Sequence, residues 1–273
     1  MSIFQSIILG IVQGFSEFLP ISSSAHLVLI PAILGWVFPE DQIFPFNVLV
    51  QLGTLVAVII YFWEDLVVMA TAFIKGIAKW RPFEDENSRL AWFIILATIP
   101  AGVIGLLLDD VVEAAFKSPW LAAVFLFITA FMMWMAEHFS RQDRELSSSS
   151  WIDALLIGLS QALAIFPGIS RSGATISVGM GRHLDRSSAG RFSFLMSIPI
   201  MLASSILGVR ELLAVEDLVS FLPVMVIGFV TAGVVGYVSI RWLLRLLKEH
   251  SLKIFSYYCI GFAVFSLVFG YVF

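Results

Sequence analysis

Six stretches of the chain are apolar over a length suited to membrane-spanning helices, roughly 46–63, 90–108, 118–136, 192–209, 218–240 and 254–273, since about 20 apolar residues cross a hydrocarbon core. Two further apolar regions are interrupted. Residues 1–38 split at EFLPISSSAH and residues 151–186 split at FPGISRSGAT, so each reads as a helix, a break, and a helix returning to the side it came from. Broken backbone at membrane depth survives only where protein or a wet cavity satisfies its N–H and C=O groups. Such re-entrant hairpins therefore mark a site.

The two breaks resemble each other. A shift of 148 residues superposes Gly10 on Gly158, Gln13 on Gln161, Phe18 on Phe166, Ile21 on Ile169, Ser22 on Ser170 and Ser24 on Ser172. A weaker echo pairs AGVIG at 101–105 with AGVVG at 232–236. The chain thus divides into two halves within one integral membrane domain, 1–140 and 151–273, each a hairpin followed by three spans. Three is odd, so the second half enters the bilayer inverted. The predicted fold is an all-α polytopic membrane protein with an inverted-topology repeat, whose site lies near the midplane where broken helices meet.

Charge orients this plan. Thirteen of the 16 Lys and Arg, running from Lys75 to Lys253, fall in segments that the plan puts on one side. Lys117 and Arg210 fall on the other, and Arg171 lies in the second break. Basic loops face the cytoplasm, which places both termini outside. The opposite loops are acidic, with Glu40, Asp41, Asp109, Asp110, Glu113, Glu211, Glu216 and Asp217. The stretch 66–80, apolar with Lys75 and Lys79, suits an interfacial helix on the inner face.

Composition narrows the class. Hydrophobic residues make up 59% of the 273 positions, charged residues only 13%, and mean hydropathy is +0.96, so no charged shell exists to solubilise a globular domain. With a net charge of −4 and no basic stripe, nucleic acid is excluded as a partner. The single cysteine, Cys259, excludes an intrachain disulfide and a cysteine-based metal centre.

The breaks carry the chemistry. Pro20 and Pro167 stop helices, Gly168 and Gly173 permit tight backbone, and serines precede both returning helices as N-caps. Two helix N-termini facing each other at depth make an anion receptor suited to phosphate. Where the halves diverge, Glu17 aligns with Ile165, Ser23 with Arg171 and His26 with Ala174. One break brings acid, hydroxyl and imidazole, and the other brings the cation. Arg171 is the one arginine placed at depth, where an ion is costly enough to be functional by default, and its fork suits phosphate oxygens. Glu17 follows Gln13 by four residues, on one helix face, so the two could ligate Mg²⁺ or Ca²⁺ together with ligand phosphates. Glu17 could equally act as a general base or orient His26. For His26 the residues leave open direct attack on phosphorus, deprotonation of Ser23, or activation of water. The other histidines, His138, His183 and His250, read as solvated interface residues.

QGFSEFLPISSSAH and PGISRSGATISVGMGRHLDRSSAGRFSFLMSIP, with VQLGTLVAV at 50–58 and DALLIGLSQALA at 153–164, resemble the signature segments of the bacterial undecaprenyl-diphosphatase, or bacitracin-resistance protein, family. The resemblance implies a membrane phosphatase that removes the terminal phosphate of undecaprenyl diphosphate and so recycles the lipid carrier of peptidoglycan and other envelope polymers. By the same resemblance the family's E/Q-x-x-x-E motif falls on Gln13 and Glu17, its catalytic histidine on His26, its essential arginine on Arg171 and its candidate serine nucleophile on Ser23. Ser22, Ser24, Ser170, Ser172 and Thr175, with Gly168, would line the phosphate site. Members often carry glutamate where this chain has Gln13, and a second glutamate is here Asn47. Asn47, Gln51 and Thr54 are candidates for the pocket wall. The resemblance also implies a divalent cation, a polyprenyl diphosphate entering from the bilayer, and bacitracin competing for that substrate rather than binding the protein; a homodimer is compatible with it.

A transporter or flippase of an anion or polyprenyl phosphate is the rival reading, because paired broken helices in inverted repeats are a transporter architecture. Chemistry separates the two: a transporter needs no Glu, Ser and His arrayed against an Arg. A purely structural subunit would leave Arg171 and Glu17 unexplained.

Overall fold

The computed structural model describes residues 1–212 and 218–272, apart from the side chains at 40, 41, 109, 207, 209–212, 218, 219 and 270–272. Of the loop charges named above, Glu40, Asp41, Asp109, Arg210, Glu211, Glu216 and Asp217 lie outside the described set. Twelve α-helices occur among the described residues: α1 (Ile3–Phe18), α2 (Ser23–Ile33), α3 (Glu40–Tyr61), α4 (Trp63–Ala78), α5 (Glu86–Leu107), α6 (Asp109–Phe116), α7 (Pro119–Phe139), α8 (Trp151–Leu163), α9 (Arg171–Gly181), α10 (Arg186–Leu212), α11 (Leu218–Glu249) and α12 (Lys253–Val272). Five of them, α3, α5, α7, α10 and α11, are long and apolar enough to cross a membrane. The protein is multi-pass and all-helical.

Both interrupted regions form a helix, a short break and a second helix, and their boundaries echo each other. The shift of 148 carries the start of α1 onto the start of α8 and carries α2 onto α9 at both ends. Caps follow the same shift. Ser2 and Ser150 each head a capping box, while Ser22 and Ser170 each accept from the backbone N–H three residues on, at Ala25 and Gly173. These hydroxyls satisfy N–H groups that a helix start leaves unpaired.

Packing exchanges the halves. Helix α1 lies along α11, and α8 lies along α5; α3 packs on both α10 and α11, and α7 packs on α12 and on α9. Small residues make the close crossings: a methyl built at Gly14 would sit 2.7 Å from Val235 Cβ and 2.8 Å from the Ala232 carbonyl oxygen. Gly158 meets the Ala97 backbone in the same way. Close backbone approach through glycine and alanine is how helices associate where lipid offers no hydrophobic contrast. The principal core, with Phe18, Phe194, Leu126, Ile176 and Met196 fully buried, runs between the two breaks and the long helices.

One short helix, α6, falls where the sequence reads as an acidic loop. Its eight residues, DDVVEAAF, are too few for an amphipathic period to show clearly.

A polar cluster ties the break helices together at the end remote from the breaks. Asp153, in the first turn of α8 and outside the five long apolar helices, is buried and accepts from Arg144 Nη2 at 2.8 Å, Arg182 Nε at 2.7 Å and Ser150 Oγ at 2.8 Å. Burial pushes its carboxyl up, but the hydrogen bonds from Arg144, Arg182 and Ser150 overcome this and hold it at about 2. A folded-state value below the unfolded one of about 3.9 means that this carboxylate stabilises the fold above that pH. The contribution is lost as pH falls toward 2. Asp153→Asn should therefore lower the thermal midpoint near neutrality, by an amount equivalent to about 3 kcal/mol for a broken buried ion pair. The gap to wild type should close as the pH of the melt is taken from 5 to about 2.

Candidate active site

The two breaks touch. Gly168 N–H donates to Ser22 Oγ at 3.2 Å, and Ser172 Oγ donates to the Leu19 carbonyl at 3.1 Å. Thr129 on α7 clamps the second break, donating to the Gly168 carbonyl at 2.9 Å and accepting from Ser170 N–H at 2.8 Å. Gly168 has φ +105°, a conformation open to glycine, and an added methyl would strike the Ala122 carbonyl and come within 2.6 Å of Phe125 Cβ. Ser22 has φ 69°, a strained value for a residue with a side chain. What holds it is a set of bonds: its Oγ receives Gly168 and Ala25, and its carbonyl receives the His26 ring at 2.8 Å.

At the crossing, Arg171 and Ser23 are the first residues of α9 and α2, so both side chains sit at helix N-termini. Arg171 Nη2 donates to Glu17 Oε1 at 2.8 Å, with side-chain exposures of 14% and 9%. Ser23 Oγ donates to Glu17 Oε2 at 2.5 Å, and Gln13 Nε2 donates to the same oxygen at 3.0 Å. One carboxylate thus gathers the cation from one half and the hydroxyl from the other. Arg171 Nη1 is buried without a hydrogen-bond partner, a state that costs free energy and suits an anion arriving from the adjoining space.

That space is a cavity of about 740 Å³. Gln13, Glu17, Ser22, Ser23, Ser24, Ser170 and Arg171 form its polar end. Asn47 and Gln51 on α3 line it, and Gln51 Nε2 donates to Ser204 Oγ at 3.2 Å. Ala101, Gly102, Gly105 and Leu106 of α5, Val112 and Phe116 of α6, and Ile200 and Met201 of α10 make the rest largely apolar.

Several residues anticipated at the phosphate site stand behind it instead. Ser172 is spent on the Leu19 carbonyl, and Thr175 bonds the Arg171 carbonyl at 2.7 Å and Ser193 Oγ at 2.6 Å. Thr54 is fully buried, 3.5 Å from Gln13 Nε2, and Gly168 shapes the turn. His26 is turned from the cavity. Its Nδ1 pairs with the Ser22 carbonyl, its Nε2 with the Tyr258 hydroxyl at 2.8 Å, and its ring stacks on Phe262 with centroids 4.5 Å apart. The Nδ1 contact requires Nδ1–H, which leaves Nε2 as acceptor for Tyr258. Sequence reasoning missed Tyr258, Thr129 and Gln161 as site residues; for Gln161 the repeat register onto Gln13 was the available signal.

Metal ligation rests on a thin donor set. Among the described residues no group of three His, Cys, Asp or Glu side chains is placed to hold an ion. Glu17 and the buried, unpartnered Gln13 Oε1 supply two oxygens, which suits an ion that takes its remaining ligands from phosphate and water.

Residues 6–265 match the family described as bacitracin resistance protein BacA. A protein named undecaprenyl-diphosphatase from Chlorobium phaeovibrioides is 41% identical over 269 residues, covering 94% of this chain and 93% of its own. One of the same name from Methanosphaera stadtmanae is 38% identical, covering 98% of both chains, and one from Moorella thermoacetica is 40% identical, covering 94% of both.

Gly168→Ala should lower the thermal midpoint by the equivalent of about 2 kcal/mol or more, from forced positive φ and overpacking together. The loss should be read by tryptophan fluorescence melts in detergent.

Proposed function

The chain belongs to the bacitracin resistance protein BacA family, and on that footing we propose that it hydrolyses undecaprenyl diphosphate to undecaprenyl phosphate and inorganic phosphate, recycling the lipid carrier for envelope polymers. The observation that carries this is the arrangement of an unpartnered guanidinium nitrogen, Arg171 Nη1, beside a Ser23 hydroxyl bonded to Glu17, in a cavity that is polar at that end and apolar along its walls.

In this reading the terminal phosphate lies against Arg171 Nη1 and the N-termini of α2 and α9, while the prenyl chain follows the apolar wall of α5, α6 and α10. Glu17 takes the Ser23 proton as Oγ attacks the terminal phosphorus. The phosphorus–oxygen bond to the inner phosphate breaks, and undecaprenyl phosphate leaves with its electron pair and with the proton from Glu17, which is again a carboxylate. Water, losing a proton to Glu17, then attacks phosphorus; the Ser23–phosphorus bond breaks, Ser23 Oγ takes that proton back from Glu17, and inorganic phosphate is released. Arg171 and the backbone N–H groups stabilise charge on the equatorial oxygens. His26, with both nitrogens engaged, holds the strained Ser22 carbonyl and so positions Ser23. A divalent cation, held by Glu17 and Gln13 Oε1 together with the substrate's oxygens, would add neutralising charge to the phosphates.

We place the site on the outer face of the bacterial inner membrane, with both termini outside. In support, the cavity is lined by α6, by the start of α3 and by the end of α5, the ends opposite the basic loops. The matched helix boundaries, matched caps and exchanged packing support an inverted repeat of 1–140 and 151–273, with residues 1–38 and 151–186 as re-entrant hairpins. Bacitracin then acts by withholding the lipid diphosphate. A transporter could share this architecture, but the Ser23–Glu17 pair favours chemistry.

Purified wild type should release phosphate from undecaprenyl diphosphate in detergent, and chelator should lower the rate. Ser23→Ala and Arg171→Lys should each fold and lose roughly 10²-fold or more in kcat; the ammonium of lysine cannot make the forked contact. Glu17→Gln should lose as much in kcat and should also melt lower, because it leaves Arg171 as an unpaired buried charge. Wild-type rates from any of the three would refute its assignment.

A further inference from the structure

Gln161, on α8, is 2% exposed, and neither its Nε2 nor its Oε1 has a hydrogen-bond partner. It lines the cavity together with Ala164 and Ile165, the cap of α8 and the first residue of the break that follows it. Its counterpart under the shift of 148, Gln13, spends Nε2 on Glu17. At the position matching Glu17 this half has Ile165, so Gln161 has lost the carboxylate that occupies its twin. A buried primary amide with both ends unpaired is unfavourable and persists where a ligand uses it.

The position limits what that ligand is. Helix α8 packs along α5, whose residues 101, 102, 105 and 106 form the apolar wall. Gln161 therefore stands on the element that joins the Arg171 end to the wall assigned to the prenyl chain. Between a terminal phosphate and a prenyl chain lies the inner phosphate. We propose that Gln161 binds the inner phosphate of the lipid diphosphate, which is also the phosphate of the lipid product, with Nε2 donating to a non-bridging oxygen. This rests on the diphosphatase reading for the substrate but not for the contact. A neutral donor suits this position, since it orients the leaving group yet grips the monophosphate less tightly than a second arginine would, which favours product release.

Binding tests it independently of turnover. Wild type and Gln161→Met, of similar shape, are titrated in detergent with undecaprenyl phosphate and, separately, with inorganic phosphate, following the ligand-induced rise in thermal midpoint. Without ligand the variant should melt at or above the wild-type temperature, because an unpaired buried amide has been removed. Its affinity for undecaprenyl phosphate should fall about 10-fold, the scale of a lost hydrogen bond to a charged group, while affinity for inorganic phosphate stays the same. Gln161→Glu, which sets a carboxylate against the phosphate, should lose more, and it serves if the methionine variant does not fold. Unchanged lipid affinity, meaning an amide that is merely hydrated, would overturn the proposal. So would an equal loss for inorganic phosphate, or a lower ligand-free midpoint with no change in binding. Wild type that binds undecaprenyl phosphate through Gln161 yet releases no phosphate from the diphosphate would sink the enzymatic reading and leave this contact standing.

Discussion

The ion pair between Glu17 and Arg171 is the constraint on which the rest of the site depends. It joins two elements 154 residues apart in the chain, each helix-breaking and each unable to satisfy its own backbone alone. Burying either charge by itself in a low-dielectric interior is prohibitive, so the two breaks must meet or neither is tenable. Once they meet, Glu17 has a second oxygen for Ser23, and Arg171 has a second nitrogen that no protein group takes. The pair is thus structural glue and half-built receptor at once. Its net neutrality leaves room for the charge of the proposed diphosphate, to which Arg171 and two helix N-termini would respond.

Around that pair the polar groups divide into those that face the cavity and those that hold the turns. Ser23, Ser24 and Ser170 face it; Ser172, Thr175, Thr129 and His26 tie down carbonyls and caps. The division explains how backbone as irregular as φ 69° at Ser22 can sit in an apolar protein, since the Ser22 oxygens are paired with Gly168, Ala25 and His26. It also sets precision: Ser23 is the next residue after a strained cap, and a small relaxation of Ser22 would swing its hydroxyl off Glu17. Catalysis by positioning is sensitive to displacements of that size.

Much of this was legible in the chain. The long apolar stretches, the two interruptions and the 148-residue echo between them carry every helix but α6 and bring Glu17 opposite Arg171, because hydrophobic length and the cost of buried charge leave few alternatives. Side-chain direction was not legible. His26 reads as a site residue from its neighbours, yet one helical turn beyond the Ser22 cap it points away from the cavity, toward Tyr258 and Phe262, which lie more than 230 residues on. No local pattern encodes that contact. Gln161 was hidden for the converse reason: as the twin of Gln13 it reads as evidence of duplication, and only its packing reveals an amide without a partner. Helix α6 lies below the length at which amphipathic period speaks clearly, although it forms part of the cavity wall.

The central claim is that a phosphoryl group sits where the two breaks meet, between the guanidinium and the serine hydroxyl. An experimental structure of the protein with orthovanadate and undecaprenyl phosphate tests this most directly. The account requires vanadium beside Ser23 Oγ, with an equatorial oxygen at about 2.9 Å from Arg171 Nη1. Vanadate bound elsewhere in the molecule, or a guanidinium directed into lipid and away from Glu17, would contradict it.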